Sequence, residues 1–409
     1  MTDKVQQTSL KPLNPVTLEP LKEGWRWLKL REVCSVHPGQ HILEADYNRK
    51  GIGIGYLTGP DDFGKESPNV TKWTEKSKAW CEPSDVLVTV KGAGVGKTNL
   101  APNERVAIGR QLMAVRPNPG QIDHIFLYHV LITCFSKLQG SALGSTVPGL
   151  GRGNIESLEF PCPPLLEQKR IATKIQEFMQ EVDRGRTACE KQLEAAKALP
   201  SAHLRAVFES EESKKWENRR LGEVCEIVTG STPKTDDPSN WNGEILWATP
   251  NDMGKLREFT IEDTERKISQ KGFESCSTKL LPPESVLLTT RAPIGHLAIN
   301  LKPMCTNQGF KSLIPTSKIY NWFLFFALKH FVPVLQSMGR GQTFTEISKG
   351  QVETFEIPIP HHTEQYKIAT YLKEKMAQVE NLQSAIRNQL SALNTLPQAI
   401  LRQAFNGEL

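Results

Sequence analysis

An internal duplication constrains the fold of this chain more than any other feature of its sequence. Residues 144–208 align without a gap on residues 341–405 at a shift of 197, and 25 of the 65 aligned positions are identical. Both segments contain Glu-Gln and, two residues further on, Ile-Ala-Thr, at 167–173 and 364–370. Because self-similarity at a fixed shift is the signature of repeated structural units, we expect two related halves.

The parts of the chain before this alignment also pair, but at shifts that drift. The matches are residues 32–34 with 223–225 at a shift of 191, residues 83–91 with 283–291 at 200, and Gln111 with Gln308 at 197. Each half is therefore a common frame around a divergent interior. This pattern is expected of two modules that do one job on different targets.

Periodicity divides each half into a globular part and a helical part. Residues 25–160 and 216–357 contain short apolar runs broken by Gly, Pro, Asn and Asp, which predicts mixed α/β or α+β domains. Beyond them apolar residues recur every three to four positions, which predicts helices. These residues are Ile171, Ile175, Phe178, Val182, Cys189 and Leu193 in the first half, and Ile368, Leu372, Val379, Leu382, Ile386 and Leu393 in the second.

The two helices are expected to be long and of equal length. Each would run from Glu167 or Glu364 to the Leu-Pro pair that begins at Leu199 or Leu396. This is about 33 residues, or about 50 Å. Their heptad-like stripes favour packing of the two helices on each other over the alternative, a core helix in a larger bundle.

The predicted organisation has five segments. They are a polar N-terminal tail (1–20), a globular domain (21–160), a helical region (161–209), a second globular domain (210–357) and a second helical region (358–409).

Composition limits the function classes only loosely. The 409 residues carry 50 Lys and Arg against 45 Asp and Glu, and a net charge of +5 permits DNA binding without arguing for it. No apolar run approaches the roughly 18 residues of a membrane span, and the N-terminus lacks the apolar core of a secretion signal. The eight cysteines include no Cys-x-x-Cys pair, which favours reduced thiols in a cytosol over a zinc module or a disulfide framework.

The motifs that suggest catalysis do not satisfy the requirements of their chemistry. Residues 91–98 end like a phosphate-binding loop, but Lys91 stands where the first glycine is required, and no helical pattern follows. His37 with His41, and His361-His362 with Glu364, lack a third clustered ligand, so no metal site is predicted. The sequence predicts a chain without a catalytic site of its own.

With the duplication and the helices established, the chain resembles the specificity subunit of type I restriction-modification systems. Each half opens with a similar segment, Trp25 to Val33 and Trp216 to Pro233, and closes with Gly-x-Thr at 144–146 or 341–343 followed by the Glu-Gln-x-x-Ile-Ala segment. The C-terminal sequence AILRQAFNGEL is typical of these subunits. The resemblance covers all of the chain except the N-terminal tail.

The resemblance implies a fold and a set of partners. It implies two target recognition domains, each reading one half of a bipartite asymmetric site on double-stranded DNA, separated by two antiparallel helices that form a coiled coil. It implies that two methyltransferase subunits dock on the helices for adenine methylation, and that two restriction and motor subunits join through the complex. S-adenosylmethionine, ATP and Mg²⁺ are then expected in the partner subunits, with no cofactor or metal in this chain and a cytoplasmic location.

Base reading requires side chains that offer hydrogen bonds to base edges, with cations on phosphates. The candidates in the first domain are Lys91, Lys97, Arg110, Gln111, Thr146 and Arg152. Those in the second are Arg291, His296, Asn307, Gln308, Arg340, Gln342, Thr343 and Lys349. For Gln111 and Gln308, a structural hydrogen bond is an open alternative to a base contact.

Two other functions remain as alternatives at this stage. A stand-alone tandem DNA-binding adaptor would share both domains but would need no methyltransferase. A nucleotide hydrolase that uses residues 91–98 would bind ATP as an isolated chain.

Overall fold

A computed structural model describes residues 21–140, 149–291, 293–339 and 346–409 of the chain. The chain forms two compact units. Unit 1 contains the residues up to Cys189 together with Gln389–Leu409, and unit 2 contains Glu190–Asn388. Each unit therefore combines one globular domain with the start of one long helix and the end of the other. The five segment limits given above stay predictions, because this division follows packing and not sequence order.

The globular domain of unit 1 is built from short strands with three small or medium helices. The strands are β1 (Arg26–Lys29), β2 (Cys34–Pro38), β3 (Tyr47–Asn48), β4 (Ile54–Leu57), β5 (Trp73–Thr74), β6 (Trp80–Cys81), β7 (Val86–Thr89), β8 (Thr98–Leu100), β9 (Val106–Ile108), β10 (Leu112–Pro117) and β11 (Glu159–Cys162). The helices are α1 (Leu30–Val33), α2 (His124–Gly140) and α3 (Arg152–Glu156). The long helix α4 (Leu165–Phe208) follows.

The described strands of this domain form two larger sheets and the antiparallel pair β1-β11. One has four antiparallel strands in the order β2-β10-β7-β8, and the other has five short strands in the order β3-β5-β4-β9-β6. Strand β7 is buried along its whole length, which accounts for the apolar run Val86–Val88 that precedes Thr89. Asp85, just before β7, is buried and receives a bidentate hydrogen-bond pair from Arg116 at 2.9 Å. This ion pair ties the start of β7 to β10.

Unit 2 repeats the frame with different insertions. Its strands are β12 (Glu217–Arg220), β13 (Cys225–Thr229), β14 (Trp241–Ala248), β15 (Thr260–Ile261), β16 (Lys267–Ile268), β17 (Val286–Leu288), β18 (Leu297–Asn300), β19 (Cys305–Thr306), β20 (Lys311–Pro315) and β21 (Glu356–Ile359). Its helices are α5 (Leu221–Val224), α6 (Pro250–Lys255), α7 (Gln270–Glu274), α8 (Asn321–Met338), α9 (Lys349–Thr354) and the long helix α10 (His362–Phe405).

The main sheet of unit 2 has the order β13-β20-β17-β18-β15, so its first four strands correspond one by one to β2-β10-β7-β8. A second sheet, β16-β14-β19, takes the place of the five short strands of unit 1. The drift of the sequence shift therefore lies in the second sheet and in the loops, while the main sheet is shared. The mixed α/β fold with an internal repeat is as predicted.

Both long helices extend further than the sequence suggests. Each has 44 residues, about 66 Å, and passes through a proline, Pro200 in α4 and Pro397 in α10. The prediction that they end at the Leu-Pro pairs is therefore wrong. Packing of the last turns explains the difference, because Leu204 and Phe208 belong to the core of unit 2 and Phe405 belongs to the core of unit 1.

The two helices pair in antiparallel fashion within each unit. In unit 1 the side chain of Leu393 lies 3.3 Å from the position that a Cβ on Gly185 would take, and in unit 2 Gln383 donates a hydrogen bond to the carbonyl oxygen of Ala196. Towards the helix start in unit 1, Ile175 shares a core with Leu401. Residue numbers therefore rise along one helix where they fall along the other, as the coiled coil requires.

The buried stripe of the helices has heptad spacing but not always the predicted members. From the start of α10 to Ile386, the buried residues are Gln365, Ala369, Leu372, Met376, Val379, Gln383 and Ile386. In α4, Ile171, Ile175 and Val182 are buried and Leu193 is half-buried, and in α10 Ile368 and Leu393 are half-buried. The packing prediction is wrong for Phe178 and Leu382, which are 41% and 44% exposed. The heptad places Met179 and Gln383 inward instead, one residue further along each helix.

No helix in the described ranges has both the length and the apolar character needed to cross a bilayer. All eight cysteines lie in those ranges, and none forms a disulfide.

Candidate nucleic-acid interface

The hairpin between β7 and β8 is the centre of the candidate site in unit 1. Its loop, residues 90–97, is held at Val90, whose N–H donates to the carbonyl oxygen of Gln111 at 2.8 Å. The carbonyl oxygen of Val90 accepts from the N–H of Leu150 at 2.9 Å. These two bonds bring the hairpin loop, the turn at 109–112 and the segment before α3 together.

Lys91 and Lys97 lie at the two ends of this hairpin loop, and both side chains are exposed. Gly94 and Val95 between them are buried, so the loop presents its cations outward. Strand β8 begins at the next residue, Thr98, where a phosphate-binding loop would require a helix. The geometry therefore does not support the nucleotide hydrolase.

Arg110 and Gln111 occupy the two central positions of a tight turn in which the N–H of Leu112 donates to the carbonyl oxygen of Gly109 at 2.9 Å. Arg110 is exposed, while Gln111 is half-buried. The Gln111 Oε1 atom lies only 2.0 Å from where a Cβ on Gly59 would be, so any larger residue at position 59 would displace it. Gln111 thus packs against a neighbouring loop, whereas Arg110 projects from the turn.

The matching hairpin of unit 2 joins β17 to β18 through residues 290–296. The N–H of Thr290 donates to the carbonyl oxygen of Gly309 at 2.8 Å, and its own carbonyl oxygen accepts from the N–H of Ile347 at 2.9 Å. Thr290 therefore makes the same two contacts as Val90. The two hairpins, turns and following segments form one frame in both domains.

This frame corrects the pairing of the two glutamines. The carbonyl oxygen of Gln111 accepts from the N–H of Val90, and that of Gly309 accepts from the N–H of Thr290, so Gln111 corresponds to Gly309. It follows that Arg110 corresponds to Gln308. The sequence match of Gln111 with Gln308 is thus one residue out of register. A difference in hairpin length explains part of the change in the sequence shift. In unit 1 the N–H of Thr89 donates to the carbonyl oxygen of Lys97, and in unit 2 the N–H of Thr289 donates to that of His296, so the loop of unit 2 is one residue shorter.

Arg291 corresponds to Lys91 but has a different environment. Its Nε lies 3.3 Å from Oε2 of Glu346, and the other oxygen of that carboxylate lies 3.2 Å from Nζ of Lys311. Lys311 is almost fully buried, so Glu346 joins an inner cation to an outer one. Within the part of the chain that the structure describes, Lys91 has no such carboxylate.

The three other candidates of unit 2 are partly engaged in structure. The Oδ1 of Asn307 accepts from the N–H of Gly309 at 2.9 Å, which stabilises the turn. The Oε1 of exposed Gln308 accepts from the hydroxyl of Thr232, and its amide N–H groups make no hydrogen bond within the described residues. The backbone N–H of half-buried His296 donates to the hydroxyl of Thr289 at 2.9 Å.

Arg152 and Lys349 occupy the same place in the two domains. Each is exposed and is the first residue of a short helix, α3 or α9. Each pairs with the glutamate four residues on, Arg152 with Glu156 at 2.6 Å and Lys349 with Glu353 at 3.5 Å. The sequence alignment at a shift of 197 is correct here. Thr146, Arg340, Gln342 and Thr343 lie outside the described residues.

One titratable group beside this site has a shifted pKa. Burial lowers the pKa of His37, and the positive charges of Arg116 and Arg152 lower it further, against the opposite effect of Asp85. Its Nε2 lies 2.9 Å from the hydroxyl of Ser35. His37 is therefore expected to be neutral at neutral pH and to offer a hydrogen bond and no charge.

Sequence reasoning missed an aromatic cluster in unit 2. The guanidinium of Arg266 lies 3.6 Å from the ring centre of Trp241 and 5.2 Å from that of Trp247. The Nε1 of Trp247 donates to the carbonyl oxygen of Ser231 at 3.0 Å, beside the loop that contains Thr232. In the sequence only the two tryptophans six residues apart hinted at this stack, because Arg266 stands in an ordinary charged run.

Among the described residues, no His, Cys, Asp and Glu side chains are grouped in a way that could hold a metal ion. The arrangement therefore offers cations, amides and stacking surfaces from loops on a rigid frame. Such groups suit hydrogen bonding to bases and phosphates.

Comparison with known proteins places this frame in a family. The model of the type I restriction modification DNA specificity domain matches residues 22–196 and 213–392. The specificity subunit of the MjaIX enzyme of Methanocaldococcus jannaschii is 36% identical over 170 residues, which are 41% of this chain and 39% of that subunit. The EcoBI specificity subunit of Escherichia coli is 22% identical over 421 residues, which cover 95% of this chain and 87% of that subunit.

A solved structure shows the same fold. The HsdS subunit from Thermoanaerobacter tengcongensis superposes with a TM-score of 0.70 at 24% identity, over 96% of this chain and 100% of that one. The match to the archaeal subunit spans well under two thirds of that subunit's length, so the family rests on the domain model, which covers both halves. The chain belongs to the family of type I restriction-modification specificity subunits.

Proposed function

We propose that this chain is the non-catalytic DNA-recognition subunit of a type I restriction-modification complex. Each globular domain reads one half of a bipartite asymmetric site on double-stranded DNA. The two long helices set the distance between the half-sites and dock two methyltransferase subunits, through which two restriction subunits join. S-adenosylmethionine, ATP and Mg²⁺ are bound by those partners, and the complex acts in the cytoplasm.

The observation that carries this proposal is a shared frame with exchanged side chains. The same hairpin, turn and short helix present Lys91, Arg110 and Arg152 in one domain. In the other they present Arg291, Gln308 and Lys349. The cations stay at the two positions suited to phosphates, while the exposed turn residue changes from arginine to glutamine. Arginine pairs well with guanine and glutamine with adenine, so this change suits two different half-sites.

Exposed apolar side chains on the helices support partner docking. Phe178 and Leu382 are directed away from the stripe that joins the helices, and each is more than 40% exposed. Apolar side chains that are exposed on a single chain often become buried against a partner. The two long helices are therefore suited to dock other subunits.

Methylation mapping tests the proposal. Cells that express this chain with its methyltransferase are analysed by single-molecule sequencing of methylated adenines, which yields both half-sites and their spacing. Arg110→Gln is expected to alter the bases read in one half-site only, and Gln308→Arg in the other only. Lys214→Ala, whose exposed cation pairs with Glu211 outside both hairpin frames, serves as the control and should leave the site unchanged.

Two results would contradict this function. Methylation independent of the chain would exclude a specificity role, and a chain that binds a bipartite site but never copurifies with an adenine methyltransferase would favour a stand-alone adaptor. ATP binding by the isolated chain would revive the hydrolase, which the strand that follows residue 97 argues against.

A further inference from the structure

In each unit, the second sheet carries a cation beside two aromatic rings. In unit 1 the rings are those of Tyr47 on β3 and Tyr56 on β4, whose centres lie 5.6 Å apart. Nζ of Lys72, the residue before β5, lies 6.0 Å from the ring centre of Tyr47. The N–H of Tyr56 donates to the carbonyl oxygen of Lys72 at 2.7 Å, which fixes the main chain of the cation beside the second ring.

Unit 2 repeats this arrangement with larger rings and an arginine. The ring centres of Trp241 and Trp247 on β14 lie 5.0 Å apart, and the guanidinium of Arg266 lies over both. The N–H of Trp247 donates to the carbonyl oxygen of Arg266 at 3.3 Å. Arg266, the residue before β16, therefore corresponds to Lys72, and Trp247 corresponds to Tyr56.

Lys72 is held inside its own domain. Its Nζ donates to the hydroxyl of Thr58 at 2.9 Å and lies 3.9 Å from Oδ1 of Asp62, a buried carboxylate. The side chain of Lys72 is only 19% exposed. The cation of unit 1 therefore compensates a carboxylate of the same domain.

In unit 2 the main chain satisfies the equivalent carboxylate. Asp252 corresponds to Asp62, because each accepts hydrogen bonds from the N–H and the hydroxyl of the threonine that follows β14 or β4. The other oxygen of Asp252 accepts from the N–H of Glu265 at 2.9 Å. This donor takes the part that Lys72 has in unit 1, so the carboxylate does not draw Arg266 inward.

The guanidinium of Arg266 is exposed, and within the ranges that the structure describes it makes no ion pair. Its acidic neighbours in the sequence pair with other cations. Asp263 pairs with Lys267 at 3.4 Å. Glu265 pairs with Lys255 at 2.5 Å. An arginine that stacks on an indole keeps its planar group in one orientation, and its N–H groups can then form a bidentate pair with a phosphate.

Arg266 lies on the side of unit 2 that carries Gln308. The indole of Trp247 donates from Nε1 to the carbonyl oxygen of Ser231 at 3.0 Å. The next residue, Thr232, donates from its hydroxyl to Gln308. The stack and the exposed turn residue therefore border the same loop.

The strand register gives the distance between the Cα atoms of Arg266 and Gln308. Arg266, Trp247 and Cys305 lie side by side across β16, β14 and β19, and Gln308 follows Cys305 by three residues. With about 4.8 Å between strands and about 3.3 Å per residue, the two Cα atoms lie about 14 Å apart. This is about four base-pair steps, so one half-site can contact both side chains.

We propose that Arg266 binds a backbone phosphate in the DNA half-site that unit 2 reads. The guanidinium, oriented by the ring of Trp241, forms a bidentate pair with a phosphate within about four base-pair steps of the base that faces Gln308. Unit 1 makes no such contact through Lys72, because its ammonium is already engaged inside the domain. The inference rests on the proposed function and adds a phosphate contact that one half-site alone receives.

Salt-titrated binding and phosphate-ethylation interference, both on the methyltransferase complex with its mapped site, test the contact. Arg266→Ala is expected to lower the slope of log K against log salt concentration by about one. One phosphate in the half-site of unit 2 should lose its interference, whereas the half-site of unit 1 stays unchanged. The methylated sequence should stay the same, because a phosphate contact carries no base information.

Two further variants make this test specific. Arg266→Gln keeps a planar amide on the ring of Trp241 and removes the charge, so it is expected to act like Arg266→Ala and decides the matter if the alanine variant does not fold. Arg105→Ala is the matched control, because Arg105 also stacks on an indole, that of Trp80 at 3.6 Å, but pairs with Glu82 at 3.2 Å. Its slope and interference pattern should equal those of the wild type.

An unchanged slope with an unchanged interference pattern in Arg266→Ala and Arg266→Gln would overturn the contact and leave the proposed function standing. A changed methylated sequence would overturn the phosphate assignment in favour of base reading. A wild-type complex that binds no bipartite site would refute the proposed function, and the contact with it.

Discussion

The side chain of Gln383 donates a hydrogen bond from Nε2 to the main-chain carbonyl oxygen of Ala196 at 3.1 Å. Pro200, four residues after Ala196, has no N–H, so this carbonyl has lost its helical donor. Arg387 holds the amide in place by donating to Oε1 of Gln383 at 2.9 Å. One helix thus completes the hydrogen bonding of the other where a proline interrupts it, and the bond also specifies their register.

A double-mutant cycle tests this relationship. Gln383→Leu leaves the buried carbonyl of Ala196 without a donor and is expected to destabilise the chain by about 1–3 kcal/mol. In a Pro200→Ala background the new N–H satisfies that carbonyl, so Gln383→Leu should there cost close to nothing. Urea denaturation of the four proteins measures the coupling, with exposed Gln378→Leu as the control. Equal losses in both backgrounds would contradict the proposed compensation.

Gln168 and Gln365 anchor the starts of the two long helices. Oε1 of Gln168 accepts from the N–H of Asp123 at 2.8 Å, and its Nε2 donates to the carbonyl oxygen of Pro163 at 2.9 Å. Gln365 makes the equivalent bonds with Tyr320 and Pro360. The repeated Glu-Gln segment therefore contains a structural residue that joins each helix to its own globular domain.

Each anchor should matter mainly in its own unit. Gln168→Leu is expected to cost at least about 2 kcal/mol, because buried main-chain groups lose their partners. Amide hydrogen exchange should accelerate in α2 and leave α8 unchanged, and Gln365→Leu should give the reverse pattern. The two variants are controls for each other, and exchange that accelerates equally in both units would show that these glutamines do more than local anchoring.

How far the sequence predicts this structure differs from element to element. The duplication and the existence of two helices are readable because identical residues recur at one shift and apolar residues at helical spacing. The predicted helix ends are wrong because a proline normally ends a helix. Here Gln383 replaces the hydrogen bond that Pro200 cannot make, and core packing of Phe208 and Phe405 stabilises the turns that follow the prolines.

The site shows the same limit. Lys91, Arg110 and Arg152 could be singled out because exposed cations near turns are visible in a sequence. The match of Gln111 with Gln308 failed, since a loop shorter by one residue moves the register by an amount that only the contacts of Val90 and Thr290 reveal. The inward position of Gln383 could not be predicted from polarity, because its amide is buried only to serve a carbonyl on the other helix.

Acid should weaken unit 1 through His129. The pKa of this histidine is lowered by burial to about 4 in the fold, while an exposed imidazole titrates near 6.5. Between these values the unfolded chain binds a proton that the folded chain does not, so stability falls as the pH drops from about 6.5 to about 4, by up to about 3 kcal/mol.

His129→Phe removes this dependence, because phenylalanine does not titrate. Urea denaturation of both proteins from pH 7 to pH 4 measures the difference, in which the carboxylates common to the two proteins cancel. The stability of the variant relative to the wild type should therefore rise as the pH falls. A difference that stays constant with pH would contradict the burial of a neutral imidazole.

Lys91 is expected to contribute about one phosphate contact. Lys91→Ala should weaken DNA binding by the methyltransferase complex and lower the slope of log K against log salt concentration by about one. Lys349→Ala should lower it likewise, since its ion pair with Glu353 lies on the helix surface, where such pairs are weak, whereas Glu346 is held in place by the buried Lys311. Arg291→Ala is expected to have a smaller effect, because Glu346 already pairs with this guanidinium.

Salt-titrated binding measures these slopes, and Lys214→Ala, whose cation pairs with Glu211 on the surface, is the control. An unchanged slope in Lys91→Ala would exclude a phosphate contact there. A loss of affinity with specificity for one base would instead assign Lys91 to base reading.

The helices should determine the spacing of the half-sites. The boundary between the two units falls after Cys189 in α4 and after Asn388 in α10. An insertion at these two points leaves the helix contacts within each unit intact, namely that of Leu393 with Gly185 and that of Gln383 with Ala196. Seven residues add two helical turns, about 10 Å, and preserve the buried face. Inserted in both helices, they should lengthen the unread spacer by about three base pairs, each about 3.4 Å.

Inserted in one helix only, the same seven residues leave two helices of unequal length and should abolish assembly or alter the spacing. Mapping of methylated adenines distinguishes these results. A five-residue insertion in both helices is the matched control, because at about 100° per residue it rotates the buried face by about 140° and should disrupt pairing although the added length is smaller. Methylation of the original site with its original spacing, in the chain with the double seven-residue insertion, would refute the role of the helices as a ruler. The half-sites would then have to be positioned by the partner subunits alone.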